Sequence, residues 1–164
     1  MSGLFPEASG ARFSACGRYR YALWRVWDER LPPAVFVMLN PSTADGANND
    51  PTAERCQRRS VALGYGALRV VNLFALRSTD PGALYECADP VGPENDVAIA
   101  DAVLGAGIVI CAWGTHGALN GRGDAVRAQL LNHGVQAACL GINGDGSPKH
   151  PLYVGYNVAP RAYL

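Results

Sequence analysis

The chain has 164 residues, 49% of them apolar, which excludes a disordered polymer and is enough for one domain with a sizeable core. Lys+Arg and Asp+Glu number 14 each, so the net charge is zero, and a dedicated nucleic-acid binder with a basic excess is disfavoured. Five scattered cysteines (Cys16, Cys56, Cys87, Cys111, Cys139) lack paired spacing, as free thiols do in a reducing cytoplasm, the expected compartment.

Residues 1–15 carry no basic segment followed by an apolar run, so no signal peptide is expected. No apolar stretch nears the roughly 20 residues that span a bilayer, so no membrane partner is expected either. Arg18–Trp27 (RYRYALWRVW) alternates aromatics with arginines and reads as an early strand. Ala34–Leu39 (AVFVML) is an unbroken apolar run, suited to a strand buried on both faces of a parallel sheet. A loop follows, Asn40-Pro41-Ser42-Thr43-Ala44-Asp45-Gly46. Asp50-Pro51 is a helix start, with Asp as N-cap and Pro in the first turn, and Gly64 is its stop.

Leu68–Leu73 (LRVVNL) is the next strand, and Arg77–Gly92 a long loop of the kind that often carries function. Pro93–Leu104 reads as a helix, Ile108–Ala112 as a buried strand, Arg122–Asn132 as a helix and Val135–Leu140 as a fourth core strand. Gly141–Lys149 leads to His150. Strands alternating with helices imply a parallel sheet with helices on both faces. With no repeat or linker visible, residues 1–164 are read as a single α/β domain.

In such a sheet, ligands bind outside the carboxyl ends of the parallel strands. Four strings lie at strand ends or in the late loop: Met38-Leu39-Asn40-Pro41-Ser42, Val71-Asn72-Leu73, Ala112-Trp113-Gly114 and His150-Pro151-Leu152. Asn40, Asn72 and His150 are thus expected to converge on one pocket for a polar, heterocyclic ligand. Each also has a structural reading: Asn40 as a turn former, Asn72 as a buried strut, His150 as part of a turn.

The strings MLNPSTAD, DPTAERC, GYG, VVNLFALRSTDP, AWGTHG and KHPLY, spanning about Ala34 to Tyr153, closely resemble an uncharacterised bacterial family, domain of unknown function 1643. Their order also resembles, more remotely, the uracil-DNA glycosylase superfamily. That second resemblance implies a three-layer αβα sandwich around a central, mainly parallel four-stranded sheet, with an N-terminal strand or hairpin added. It places Asn40 at the water-positioning position, Asn72 at the base-reading position and His150 where charge on the departing base is stabilised. Trp113-Gly114 matches a supporting strand-end element. The chain departs from that pattern at Met38 and Ser42, where glycines are usual, and at Leu152, where a serine is usual.

Breaking an N-glycosidic bond leaves positive charge on the sugar and negative charge on the base, so donors must face the base. His150 is the candidate donor. Asn40 orients water but is a weak base; Asp45, or Asp50 if the loop folds back, is the candidate carboxylate. Asn72 donates and accepts at once, matching an amide-bearing base edge. Ser42, Arg55, Arg77, Trp113 and His116 are expected to contact substrate, and Phe74 or Tyr65 to stack on the base. The expected partner is a nucleobase, nucleoside, nucleotide, or single-stranded or flipped-base DNA. Two alternatives stand beside hydrolysis: a non-catalytic binder of a nucleotide-like ligand, and another hydrolase or transferase acting through Asp45, Asp50 or Cys111. No metal is expected, because His116, His133 and His150 lack short paired ligand spacing. No cofactor is expected either: GINGDG (141–146) lacks the Lys-Ser/Thr ending of a phosphate loop.

Overall fold

The structure is a computed structural model that describes residues 8–163. Its spine is the set of apolar runs read above. Strand β3 (Pro33–Met38) pairs in parallel with β4 (Ala67–Asn72) on one side and β5 (Ile108–Cys111) on the other, and β5 pairs in parallel with β6 (Ala138–Cys139).

The sheet does not stop at those four strands, which corrects the expected four-stranded, uracil-DNA-glycosylase-like sheet. Among the described residues it has seven strands in the order β1-β2-β4-β3-β5-β6-β7, and it is mixed. Strands β1 (Ser9–Phe13) and β2 (Arg20–Val26) form a hairpin, and β2 runs antiparallel to β4. At the far edge β7 (Arg161–Ala162) runs antiparallel to β6. The missed strands are edge pieces: β1 is largely half-exposed and β7 is fully exposed, so neither has the apolar run that marks a central strand. The fourth core strand shrinks from Val135–Leu140 to two residues.

Among the described residues there are four α-helices: α1 (Pro51–Ala62), α2 (Gly82–Glu86, inside the expected loop), α3 (Asn95–Val103) and α4 (Arg122–Asn132). Alternation along the strands divides the apolar side chains between two cores. Val35, Val37, Val71, Val109 and Cys111 face α2, α3 and α4 through Leu84, Ile99, Val126 and Leu130. Ala34, Phe36, Met38, Leu68, Val70 and Ile110 face α1 through Ala53 and Cys56. By the same alternation Asn72 falls on the α1 face. No helix among the described residues is long and apolar enough to cross a membrane.

Beyond the strand ends the loops stay paired, and this positions the cleft. Leu73 N donates to Met38 O, Phe74 N to Leu39 O and Ser78 N to Pro41 O, so the chains leaving β3 and β4 remain zipped together. After β5, Gly114 turns with φ 76°, a conformation that favours glycine, and its N–H donates to Pro148 O, tying the late loop to the sheet.

Candidate functional site

The carboxyl ends of β3, β4 and β5, the start of α1 and the loop at His150 enclose a cleft. Its outer part, of about 600 Å³, is lined by Asn40, Ser42, Asp50, Thr52, Trp113, His116, His150 and Tyr153, among others. This volume lies within the range of small-molecule sites. A deeper extension of about 40 Å³ shares Asn40, Ser42, Asp50, Thr52 and His150, and ends on Arg20, Met38, Val70 and Asn72.

Asn72 is the polar floor. It is 1% exposed, and neither its Oδ1 nor its Nδ2 has a hydrogen-bond partner. Leaving such a group unpaired costs about 1–3 kcal/mol. Its backbone, by contrast, is held firmly. Asn95 Nδ2 donates to the carbonyls of Asn72 (2.9 Å) and Leu73 (3.0 Å), and Arg122 Nε donates to Leu73 O at 2.7 Å.

Arg20 borders the same floor, 3% exposed. One Nη donates to Ala44 O at 3.0 Å, while its Nε has no partner. Burial pushes its guanidinium down to about 10, with Asp50 opposing, so it is charged at neutral pH. Asp50 caps α1: Oδ1 accepts from Ala53 N (2.8 Å) and Oδ2 from Ala44 N (3.2 Å).

His150 Nδ1 accepts from Leu152 N at 3.3 Å, which leaves Nε2 as the ring's donor when the imidazole is neutral. Burial lowers its pKa, with Asp50 opposing, and so favours the neutral ring. Its loop is gripped from α1. Arg55 donates to Pro151 O (3.1 Å) and Val154 O (2.7 Å), and Arg59 to Val154, Gly155 and Val158 carbonyls.

Asn40 lines the cleft, but its Nδ2 is spent on three carbonyls: Pro41 (3.2 Å), Leu76 (3.3 Å) and Ser78 (3.0 Å). Only Oδ1 is left to accept from a water or ligand. Ser42 and His116 also line the cleft, and His116 Nδ1 meets the Tyr85 hydroxyl at 2.9 Å. Trp113 contributes a wall from a nearly buried position, with its ring pressed so close to Gly117 that a Cβ there would overlap it.

Four expected site residues lie elsewhere. Asp45 folds into its own turn, accepting from Ala47 N and Asn48 N beside Gly10 and Trp24, because a short Asx turn satisfies it locally. Phe74 is fully buried in the core under α3 and α4, since regular alternation ends with β4 and residues 73–75 all turn to that side. Arg55 holds the His150 loop as described. Arg77 donates to Gly17 O at 3.0 Å and lies over the Phe13 ring, bound to the β1–β2 hairpin. The alternative stacking aromatic, Tyr65, packs beside Gly107 near the other end of the sheet. Burial also raises both candidate thiols, Cys111 to about 12 and Cys56 further, so neither is a ready nucleophile.

Several lining residues were not expected from the sequence, among them Arg20, Thr52, Thr115 and Tyr153. Arg20 did leave a signal: a charge inside an aromatic strand needs a partner once that strand is buried. Among the described residues no cluster of His, Cys, Asp or Glu could hold a metal ion.

Fold and site define an α/β protein with a polar, small-molecule-sized cleft at the carboxyl edge of its parallel strands. The chain belongs to the family described as Protein of unknown function (DUF1643), which it matches over residues 20–152. No curated protein and no solved structure matches it, and nothing in these comparisons supports a kinship with the uracil-DNA glycosylases.

Two predictions follow from the geometry. Asn72→Leu removes two unpaired buried polar atoms, so urea unfolding of the ligand-free protein should show a gain of about 1–3 kcal/mol; a loss of stability would mean that the amide is internally satisfied. His150, with its folded pKa below the ordinary 6.5, binds fewer protons folded than unfolded within that window. Stability should therefore fall as pH is lowered from about 7.5 to about 5, and His150→Gln should flatten that part of the profile.

Proposed function

We propose that this protein binds a nucleobase-type ligand in the cleft, as a nucleoside, nucleotide or extruded DNA base, and hydrolyses its N-glycosidic bond. The observation that carries the reading is the Asn72 amide. A buried group with a free donor and a free acceptor side by side is the complement of a heterocycle's amide edge. A ligand inserted as far as Asn72 passes His150, whose Nε2–H is available to the base nitrogen or oxygen that gathers charge as the bond breaks.

In that reaction a water oxygen bonds to the anomeric carbon while the C–N pair leaves with the base. Asn40 Oδ1 orients the water, and its surplus proton passes to solvent or to the departing base. Among the described residues the carboxylate lining the cleft is Asp50, and each of its oxygens already accepts from a main-chain N–H group. The expected chemistry is slow. Arg55 and Arg77, expected to contact substrate, are engaged elsewhere, which favours a free nucleoside or nucleotide over a long DNA duplex. The five unpaired cysteines fit a reducing, cytoplasmic setting.

The full use of Asn40 Nδ2 also favours a second reading, a non-catalytic binder of the same ligand class. Chromatographic assay of free base released from a panel of nucleosides, nucleotides and single-stranded DNA separates the two. Release abolished by Asn72→Ala supports hydrolysis, saturable binding without release supports the binder, and neither outcome rejects both. Asn40→Asp sets a carboxylate against three carbonyl oxygens. It should lose about 1–3 kcal/mol of stability at neutral pH and gain no rate, despite introducing a stronger base.

A further inference from the structure

Resting on the nucleobase reading, we infer that the deep end of the cleft selects an acidic heterocycle, one whose inserted edge carries an anionic oxygen beside an N–H. Arg20 Nε–H and the Asn72 amide hydrogen meet the oxygen, and Asn72 Oδ1 accepts from the neighbouring N–H. Both side chains are more than nine-tenths buried, both end on the 40 Å³ extension, and both carry unpartnered polar atoms there.

Charge decides between a neutral carbonyl and an anion. Among the described residues Arg20 has no ion-pair partner. One carboxylate, Asp50, attracts it from the same extension, while two further cations, Arg25 and Arg77, add like charge. A neutral carbonyl would satisfy the Nε–H but leave the three cations Arg20, Arg25 and Arg77 against the single negative charge of Asp50. An anionic oxygen satisfies the bond and the charge together, and charge-assisted hydrogen bonds are about twice as strong as neutral ones. Size agrees. An extension of about 40 Å³ admits the edge of a ring and not a whole base, so the body of the heterocycle sits in the larger cavity against Trp113 and His150.

Calorimetric titration of the full chain at neutral pH with barbiturate, an anion, and uracil, its neutral counterpart lacking one oxygen, tests the inference. Nitrate, a small planar anion with no base attached, serves as a third probe. Barbiturate should bind about ten- to a hundredfold tighter than uracil, and Arg20→Gln should erase that preference while still unfolding cooperatively. Equal or tighter binding of uracil by the unaltered protein overturns the inference, whether or not Arg20→Gln folds. So does a preference that survives in Arg20→Gln. If no heterocycle binds but nitrate raises the thermal midpoint of the wild type and not of Arg20→Gln, the anion-selective end stands and the nucleobase reading falls. If nitrate is also inert, both fall.

Discussion

The end of β4 is fixed on one side and open on the other, and the cleft depends on that asymmetry. The carbonyls of Asn72 and Leu73 are held by Asn95 and Arg122, two buried polar side chains reaching from the α3 and α4 side. The Asn72 side chain, one alternation away, emerges among Met38, Val70 and Ala53 with no partner of its own. A backbone so well satisfied cannot easily relax to rescue the amide, and apolar neighbours offer nothing to it. The unpaired state is therefore built in, and binding a complementary edge recovers the desolvation cost that folding left in place.

The same division of labour recurs around the cleft: several of its polar side chains hold loops, and the others are left to the cavity. Asn40 spends its amide hydrogens on the segment after β4; Asp50 spends its oxygens on Ala44 and on the first turn of α1. Arg55 and Arg59 pin the segment that carries His150, and Tyr156 lies against both guanidinium groups. Three segments far apart in sequence are thus tied into one wall. The groups left to a ligand include the Asn72 amide, Arg20 Nε, His150 Nε2, Asn40 Oδ1 and the hydroxyls of Ser42 and Thr52.

Much of this was legible in the residues. Apolar runs gave β3 and β5 and the valine-rich LRVVNL gave β4, Asp50-Pro51 marked the start of α1, and the rule that ligands gather at carboxyl strand ends pointed to the cavity that Asn40, Asn72 and His150 line. Edge strands escaped because pairing needs only backbone: Arg161-Ala162 has no burial pattern to read. Asp45 and Asp50 look alike as loop carboxylates. Which one faces the cleft depends on a local turn that Asn48 closes around Asp45. Arg55 and Arg77 read as substrate contacts because a sequence does not show that a carbonyl will occupy each guanidinium first.

The inward-facing set is rich in donors and poor in bases. Arg20, His150 and Asn72 can each give a hydrogen bond to one ligand edge, while the acceptors are two amide oxygens, the hydroxyls of residues such as Ser42 and Thr52, and the Asp50 carboxylate, each of whose oxygens already accepts from a main-chain N–H. Such a site favours a ligand that gains negative charge, or arrives with it, over one that must surrender a proton. That preference is common to both roles argued for the cleft. A departing base gathers charge as its bond breaks, and an acidic heterocycle carries charge from the outset, so the same three donors serve the transition state of one and the ground state of the other. Where ground state and transition state are bound equally well, binding is tight and turnover is not accelerated. The protein's place between binder and enzyme is then set by how much of its hydrogen bonding to the base is present before the bond breaks.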